Sequence, residues 1–243
     1  MRRSHAFLVL FFVFLLYLVT VVSAQSVAIG VGVGDSFRYG SVSATWNSTD
    51  PDFTPGPDIR NFFDTDYMLL TITDVDIWET TIYMQLDWHF DYGTHETSNH
   101  YTNVDTGDKN ISTFVICAFL QPGDHMYPGI PGSPVITEAV LRTYASVSRE
   151  TNRITYSHTG QDYNSTIDMY MDQTTGALVE FNGIQTRTDG QYETTETVFI
   201  GITESNVWVV PEFPALIILP LFMIVTLLVS LGFRRNRKHS GTP

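Results

Sequence analysis

Nine residues of this chain admit essentially one local structure. From Ile82 to Phe90 the sequence alternates: Ile82, Met84, Leu86, Trp88 and Phe90 fall on one side, Tyr83, Gln85, Asp87 and His89 on the other. A helix scatters positions two apart around its axis, whereas a strand sends them to one face. The segment is therefore expected to be a half-buried strand, and such a strand needs neighbours to cover its apolar side. Similar strands are readable at 36–46, 67–74, 96–102, 113–120, 136–144, 153–158, 166–172, 177–186 and 192–203. Thr and Tyr recur along them, as suits pleated, half-exposed surfaces.

The connections carry turn chemistry. Asp172-Gln173-Thr174-Thr175-Gly176 and Thr188-Asp189-Gly190-Gln191 each place glycine where a hairpin needs positive φ. These turns join the last three strands into an antiparallel meander. Residues 137–147 also tolerate a helix, but the Thr- and Arg-rich stretch that follows continues an extended pattern, and strand is preferred. Loops rich in Pro and Gly at 50–58 and 121–134 are expected to cross an open end of the sheet. The expected fold is mainly β: an antiparallel meander forming an open or curved barrel-like sheet, or a sandwich.

The two ends of the chain set its expected location. Arg2 and Arg3 precede an apolar segment from Ala6 to Val22, and Val22-Ser23-Ala24 supplies small residues before Gln25. This is the anatomy of a signal peptide over residues 1–24, cleaved between Ala24 and Gln25. At the far end, the 19 residues from Ala215 to Phe233 are apolar, and Arg234, Arg235, Arg237 and Lys238 follow. As a helix that run would span about 28 Å, close to the hydrocarbon core of a bilayer. The expected order is a signal peptide (1–24), an extracytoplasmic β-rich domain (25–209), a linker (210–214), a transmembrane helix (215–233) and a basic cytoplasmic tail (234–243).

Charge agrees with that orientation. Six of the 13 basic residues flank the two apolar segments, while all 26 acidic residues lie between them. Basic flanks stay cytoplasmic, so the acidic middle is expected outside, in a single-pass protein of the cell membrane. Its strongly negative charge repels phosphate backbones and excludes nucleic acid as a partner. Asn47, Asn110 and Asn164 each open an Asn-X-Ser/Thr sequon, which fits glycosylation of an exported surface. Cys117 is the only cysteine, so no intrachain disulfide exists, and its apolar setting from Phe114 to Phe119 reads as a buried strand with an inert thiol.

Chemistry-bearing clusters are few. His89, Asp91, His95 and His100 lie within twelve residues and are the candidate metal ligands, with Glu96 between them. The pattern has no HExxH and no Cys/His zinc spacing, and histidines decorating an acidic hairpin tip are the commoner outcome. Asn103 to Asn110 alternates oxygen donors but lacks the distal glutamate of an EF-hand, which leaves at most a loosely held divalent cation and no dedicated cofactor. No nucleophile elbow, phosphate loop or Ser-x-x-Lys pair is present, so no enzymatic role is expected.

Val210-Pro211-Glu212-Phe213-Pro214, followed by the apolar run and the basic tail, resembles the PEF-CTERM sorting signal of archaeal surface proteins. That resemblance implies recognition of Pro211, Glu212, Phe213 and Pro214 by an archaeosortase-type membrane transpeptidase, which cuts near the motif and attaches the protein to lipid. The middle of the chain resembles β-rich domains of uncharacterised archaeal exported proteins, through the hairpin from Asp172 to Gly176. That hairpin is also similar to one in periplasmic lipoprotein carriers of open-barrel shape. The expected function is a surface-anchored envelope protein with a structural or ligand-binding role. The alternatives are a carrier of apolar ligands (lipid or lipoprotein) in a half-open barrel, and a metal-dependent surface hydrolase. The implied partners are the membrane, the processing enzyme and other envelope proteins.

Overall fold

The computed structural model describes residues 27–111 and 113–208. In chain order its elements are β1 (Ser36–Tyr39), β2 (Ser41–Ser48), α1 (Pro57–Phe63), β3 (Thr65–Asp76), β4 (Thr81–Phe90), β5 (His95–Asn103), β6 (Glu138–Tyr144), β7 (Val147–Thr159), β8 (Tyr163–Asp172), β9 (Leu178–Thr188), β10 (Glu193–Gly201) and β11 (Glu204–Ser205). They form two antiparallel sheets, ordered β11-β1-β3-β4-β5 and β2-β10-β9-β8-β7-β6, which do not close into a barrel. The mainly β expectation holds, as does the meander β8-β9-β10 through Gly176 and Gly190, both at positive φ.

One ribbon ties the sheets together. Phe37 faces Ser205 in the first sheet, and Val42 faces Ile200 in the second, so the same register runs through both. The expected single strand 36–46 is broken at Gly40, where the chain leaves one sheet for the other. Thr203 fixes that corner: its amide donates to the Arg38 carbonyl at 2.8 Å, and its hydroxyl accepts from the Gly40 amide at 3.1 Å. A Cβ on Gly40 would lie 2.6 Å from that hydroxyl, so the close approach requires glycine here.

The alternating face of β4 becomes core as expected. Ile82, Met84 and Leu86 are buried, and Leu86 and Met84 sit opposite Leu70 and Ile72 of β3. In the second sheet Ile154, Met169, Phe181, Ile200 and Val42 form one cross-strand row facing inward. Tyr39 closes the gap between sheets by donating its hydroxyl to the Leu178 carbonyl at 3.0 Å. Burial pushes that phenol's pKa far above its ordinary value.

The stretch 113–120 is buried except at Phe119 but is not a strand. It threads the interior beside the 172–176 turn, bonded by Ile116 N to Gly176 O, Phe119 N to Gln173 O and Leu178 N to Phe114 O. Its apolar run reflects burial of every residue but Phe119 rather than membership of a ladder. Cys117 is buried as expected, its thiol donates to the Val104 carbonyl at 3.2 Å, and burial raises its pKa to about 11. Residues 57–63, expected partly as loop, form the short helix α1, started by Pro57 after Gly56.

Among the described residues no helix is long and apolar enough to cross a membrane. The expected signal peptide with its Ala24–Gln25 junction, the Pro211–Pro214 motif, the span 215–233 and the basic tail lie outside the described residues.

Candidate functional site

The fold carries three adjoining recesses that share lining residues and are taken together as the lobes of one candidate cavity. Its centre lies between the sheets and has a volume of about 220 Å³. Met68, Leu86 and Trp88 wall it from the first sheet, Met169, Phe181 and Val198 from the second, and Ile111 and Phe114 from the 104–137 connector. A second lobe of about 220 Å³ opens beneath Ile59 and Phe62 of α1, over Ile167, Gly183 and Glu196. The third, about 540 Å³ and the most open, lies between the connector and the second sheet, where Lys109, Thr113 and Tyr127 face Tyr156 and Ile167. Phe181 lines all three.

The lobes exist because the inner face of the second sheet changes along its strands. The row Ile154-Met169-Phe181-Ile200 packs into the core. The next row is Tyr156-Ile167-Gly183-Val198, and the one beyond it is His158-Ser165-Gln185-Glu196. Polarity rises toward the open end, and the middle row is interrupted by a glycine. Gly183 is the notch in this surface. A Cβ there would lie 2.9 Å from the ring of Phe181, so the missing side chain lets that ring lie down along the sheet. Opposite it, Ile59 and Phe62 share one face of α1, and Phe62 meets Trp88 edge to face at a centroid separation of 5.2 Å. The short helix is thus a cover over one mouth.

The polar groups of the third lobe form a compact set. Lys109 Nζ donates to Tyr127 Oη at 3.0 Å and to Thr113 Oγ1, and the two hydroxyls lie 3.0 Å apart. Thr113 and Tyr127 are nearly buried. Sequence reasoning passed over Lys109, Gly183, Phe62 and Phe181. The one available signal was a glycine interrupting an otherwise good strand.

The four candidate metal ligands His89, Asp91, His95 and His100 are not brought together on one face. His89 and His95 are cross-strand partners on the outer face, with His89 stacked between Tyr67 at 4.1 Å and His95 at 5.7 Å. His100 pairs with the buried Met84 and so lies on the inner face, where its Nε2 is 2.6 Å from Ser98 Oγ. Burial lowers its pKa below that of an ordinary histidine. Five residues separate His95 from His100, and an odd separation in a strand sends side chains to opposite faces. Asp91 is exposed just past the end of β4. Among the described residues no three His, Cys, Asp or Glu side chains form a metal-binding group.

Within 103–110, Asn103 Oδ1 accepts the amides of Asp105 and Thr106 and so closes a local turn. Asn47, Asn110 and Asn164 are all exposed, with Asn110 Oδ1 also accepting from the Tyr101 amide at 2.9 Å. Comparisons with protein-family models, with curated proteins and with solved structures found no match to this chain.

Proposed function

We propose that this protein is an exported, membrane-held binding protein that encloses the apolar chain of a ligand between its two sheets. The reading is supported by one observation above the rest: an apolar recess between the sheets, lined mainly by aliphatic and aromatic side chains and flanked by two more open recesses that carry the polar groups, the usual constitution of a small-molecule site. An unused core would close such a space, because interiors pack to crystal-like density. The carrier reading is therefore preferred over a purely structural role. Export and tethering rest on the sequence at 1–24 and 210–243, and the Pro211–Pro214 motif is proposed as the element a sorting enzyme reads.

The test is the full chain extracted from membranes and analysed by native mass spectrometry, compared with Val198→Trp. An indole at position 198 fills the central lobe. The wild type is expected to carry a co-purifying apolar molecule that the variant lacks while keeping its far-UV circular dichroism. A wild-type chain that carries no such molecule, and takes none up on incubation with lipid extract, would remove the reading.

A further inference from the structure

Resting on that reading, we infer that the ligand is an anionic amphiphile, a single acidic head on an apolar chain, with the head held at Lys109, Thr113 and Tyr127.

Charge is the first argument. The domain is strongly acidic, and Arg38, Arg142, Arg149 and Arg153 are each paired with a carboxylate. Among the described residues three cations have no carboxylate within ion-pair distance: Arg60, Arg187 and Lys109. Arg60 is exposed on α1, and Arg187 sits in a neighbouring recess shared with Asp50 and Asp189. Lys109 alone among them lines the cavity. In so negative a domain, a half-buried cation spared any carboxylate gives an anion one favourable place to lie.

Hydrogen-bond capacity is the second. An ammonium has three protons, and Lys109 uses two on Thr113 and Tyr127. Those hydroxyls hold two protons between them, and their mutual bond consumes one. One N–H and one O–H are left within a few ångströms of each other, both unspent. A carboxylate or phosphate oxygen accepts both, and charge-assisted bonds of this kind are about twice as strong as neutral ones.

Polarity along the cavity is the third. The apolar centre begins at Ile111 and Met169, next to the Lys109 set, and runs under Phe181 to Val198. At the opposite mouth Glu196 faces inward and disfavours an anion. A molecule with its head at Lys109 therefore places its chain along Phe181 and its end beneath Phe62. The reverse orientation sets two negative charges side by side.

The experiment uses the full chain in bilayer nanodiscs and four photoreactive probes with the same hexadecyl chain: carboxylate, phosphate monoester, neutral alcohol and quaternary ammonium. Cross-links are mapped by mass spectrometry on β8 and β9. Both anions are expected to label these strands at about tenfold lower dose than the alcohol, on the scale of one hydrogen bond to a charged group. Lys109→Met should level anions and alcohol, whereas Arg187→Met should leave the difference in place. A carboxylate that outperforms phosphate points to a free fatty-acid-like ligand, the reverse to a lipid headgroup, and either fits the assignment. Equal labelling by all four probes, levelling by Arg187→Met instead, or preference for the ammonium overturns it while leaving an apolar-ligand site intact. Absence of cavity labelling by every probe removes both.

Discussion

Arg149 grips Asp172 with two parallel bonds, Nε to Oδ2 at 2.7 Å and a terminal guanidinium nitrogen to Oδ1 at 2.9 Å. Asp172 is almost wholly buried, and the same Oδ1 accepts the amide and hydroxyl of Thr175 at 2.8 Å each. One carboxylate thus closes the β8–β9 turn and anchors it to the start of β7. That turn carries the Gly176 and Gln173 carbonyls against which the 113–120 segment docks, so the pair organises the wall of the cavity from a distance. Removing one partner of a buried pair leaves an uncompensated charge, which typically costs 3–5 kcal/mol. Arg149→Met should lower the unfolding free energy by about 3 kcal/mol, read as a drop in denaturant midpoint at constant m-value. A change below about 0.5 kcal/mol would show the pair to be incidental.

Two glycines separate conformational strain from steric collision. Gly176 and Gly190 have φ of 73° and 80°, so alanine at either meets the same left-handed penalty, roughly 1–2 kcal/mol. At Gly190 nothing lies within 4 Å of an added Cβ, whereas at Gly176 it would stand 2.2 Å from the Ile116 carbonyl oxygen. Gly190→Ala should therefore cost only the conformational term, and Gly176→Ala at least about twice as much, because the 113–120 segment must move. Thermal unfolding of both variants gives the comparison, and equal losses would contradict it.

Cys117 makes folding sensitive to alkali. Burial penalises the thiolate and pushes its folded-state pKa up to about 11, above the ordinary 9.0. A pKa raised on folding means that the stabilisation is whole below the unfolded value and is lost as pH rises through the folded one. Stability should thus fall between about pH 9 and 11, by roughly 2 kcal/mol more in wild type than in Cys117→Ala. At pH 8 the thiol should resist thiol reagents until the chain is unfolded. Rapid modification of the native protein would place the residue elsewhere.

What the sequence made legible follows from how local each signal is. The β4 alternation and the two Gly turns depend on neighbours two to four residues apart, and they locate β4, β8, β9 and β10 within a few residues. Gly40 breaks a good strand pattern for a reason held 163 residues away, at the Thr203 hydroxyl, so nothing near it announces the corner. The 113–120 run shows how a largely buried segment mimics a strand when its partners are turns. The cavity was the least legible part. Its floor is a glycine notch, its cover a seven-residue helix, and its polar mouth a lysine in a loop, three features that only the fold brings together.

The outer-face histidines bear on any metal uptake. His89 and His95 can offer at most two nitrogens from adjacent strands, and His100 lies on the other side of the sheet. Zinc retained by the purified chain should be weak, lost in the double variant His89→Ala/His95→Ala and unchanged in His100→Ala. Loss of stoichiometric zinc on changing His100 alone, by elemental analysis, would show that the register does not decide ligation.

Gly183 offers the sharpest separation of cavity from fold. Because a Cβ at this position meets the Phe181 ring at 2.9 Å, alanine forces the ring off the sheet and toward the recesses that it lines. The backbone here is ordinary strand, where alanine is better tolerated than glycine by roughly 0.5–1 kcal/mol. That gain opposes the overpacking cost of about 1–3 kcal/mol for a displaced ring, so net stability should change by less than about 2 kcal/mol. Occupancy should change far more, because the displaced ring takes the volume a hydrocarbon chain would fill. Gly183→Ala is therefore expected to keep its thermal midpoint within several degrees while losing most uptake of an apolar probe. A variant that binds the probe as well as wild type would mean that Phe181 does not floor the site.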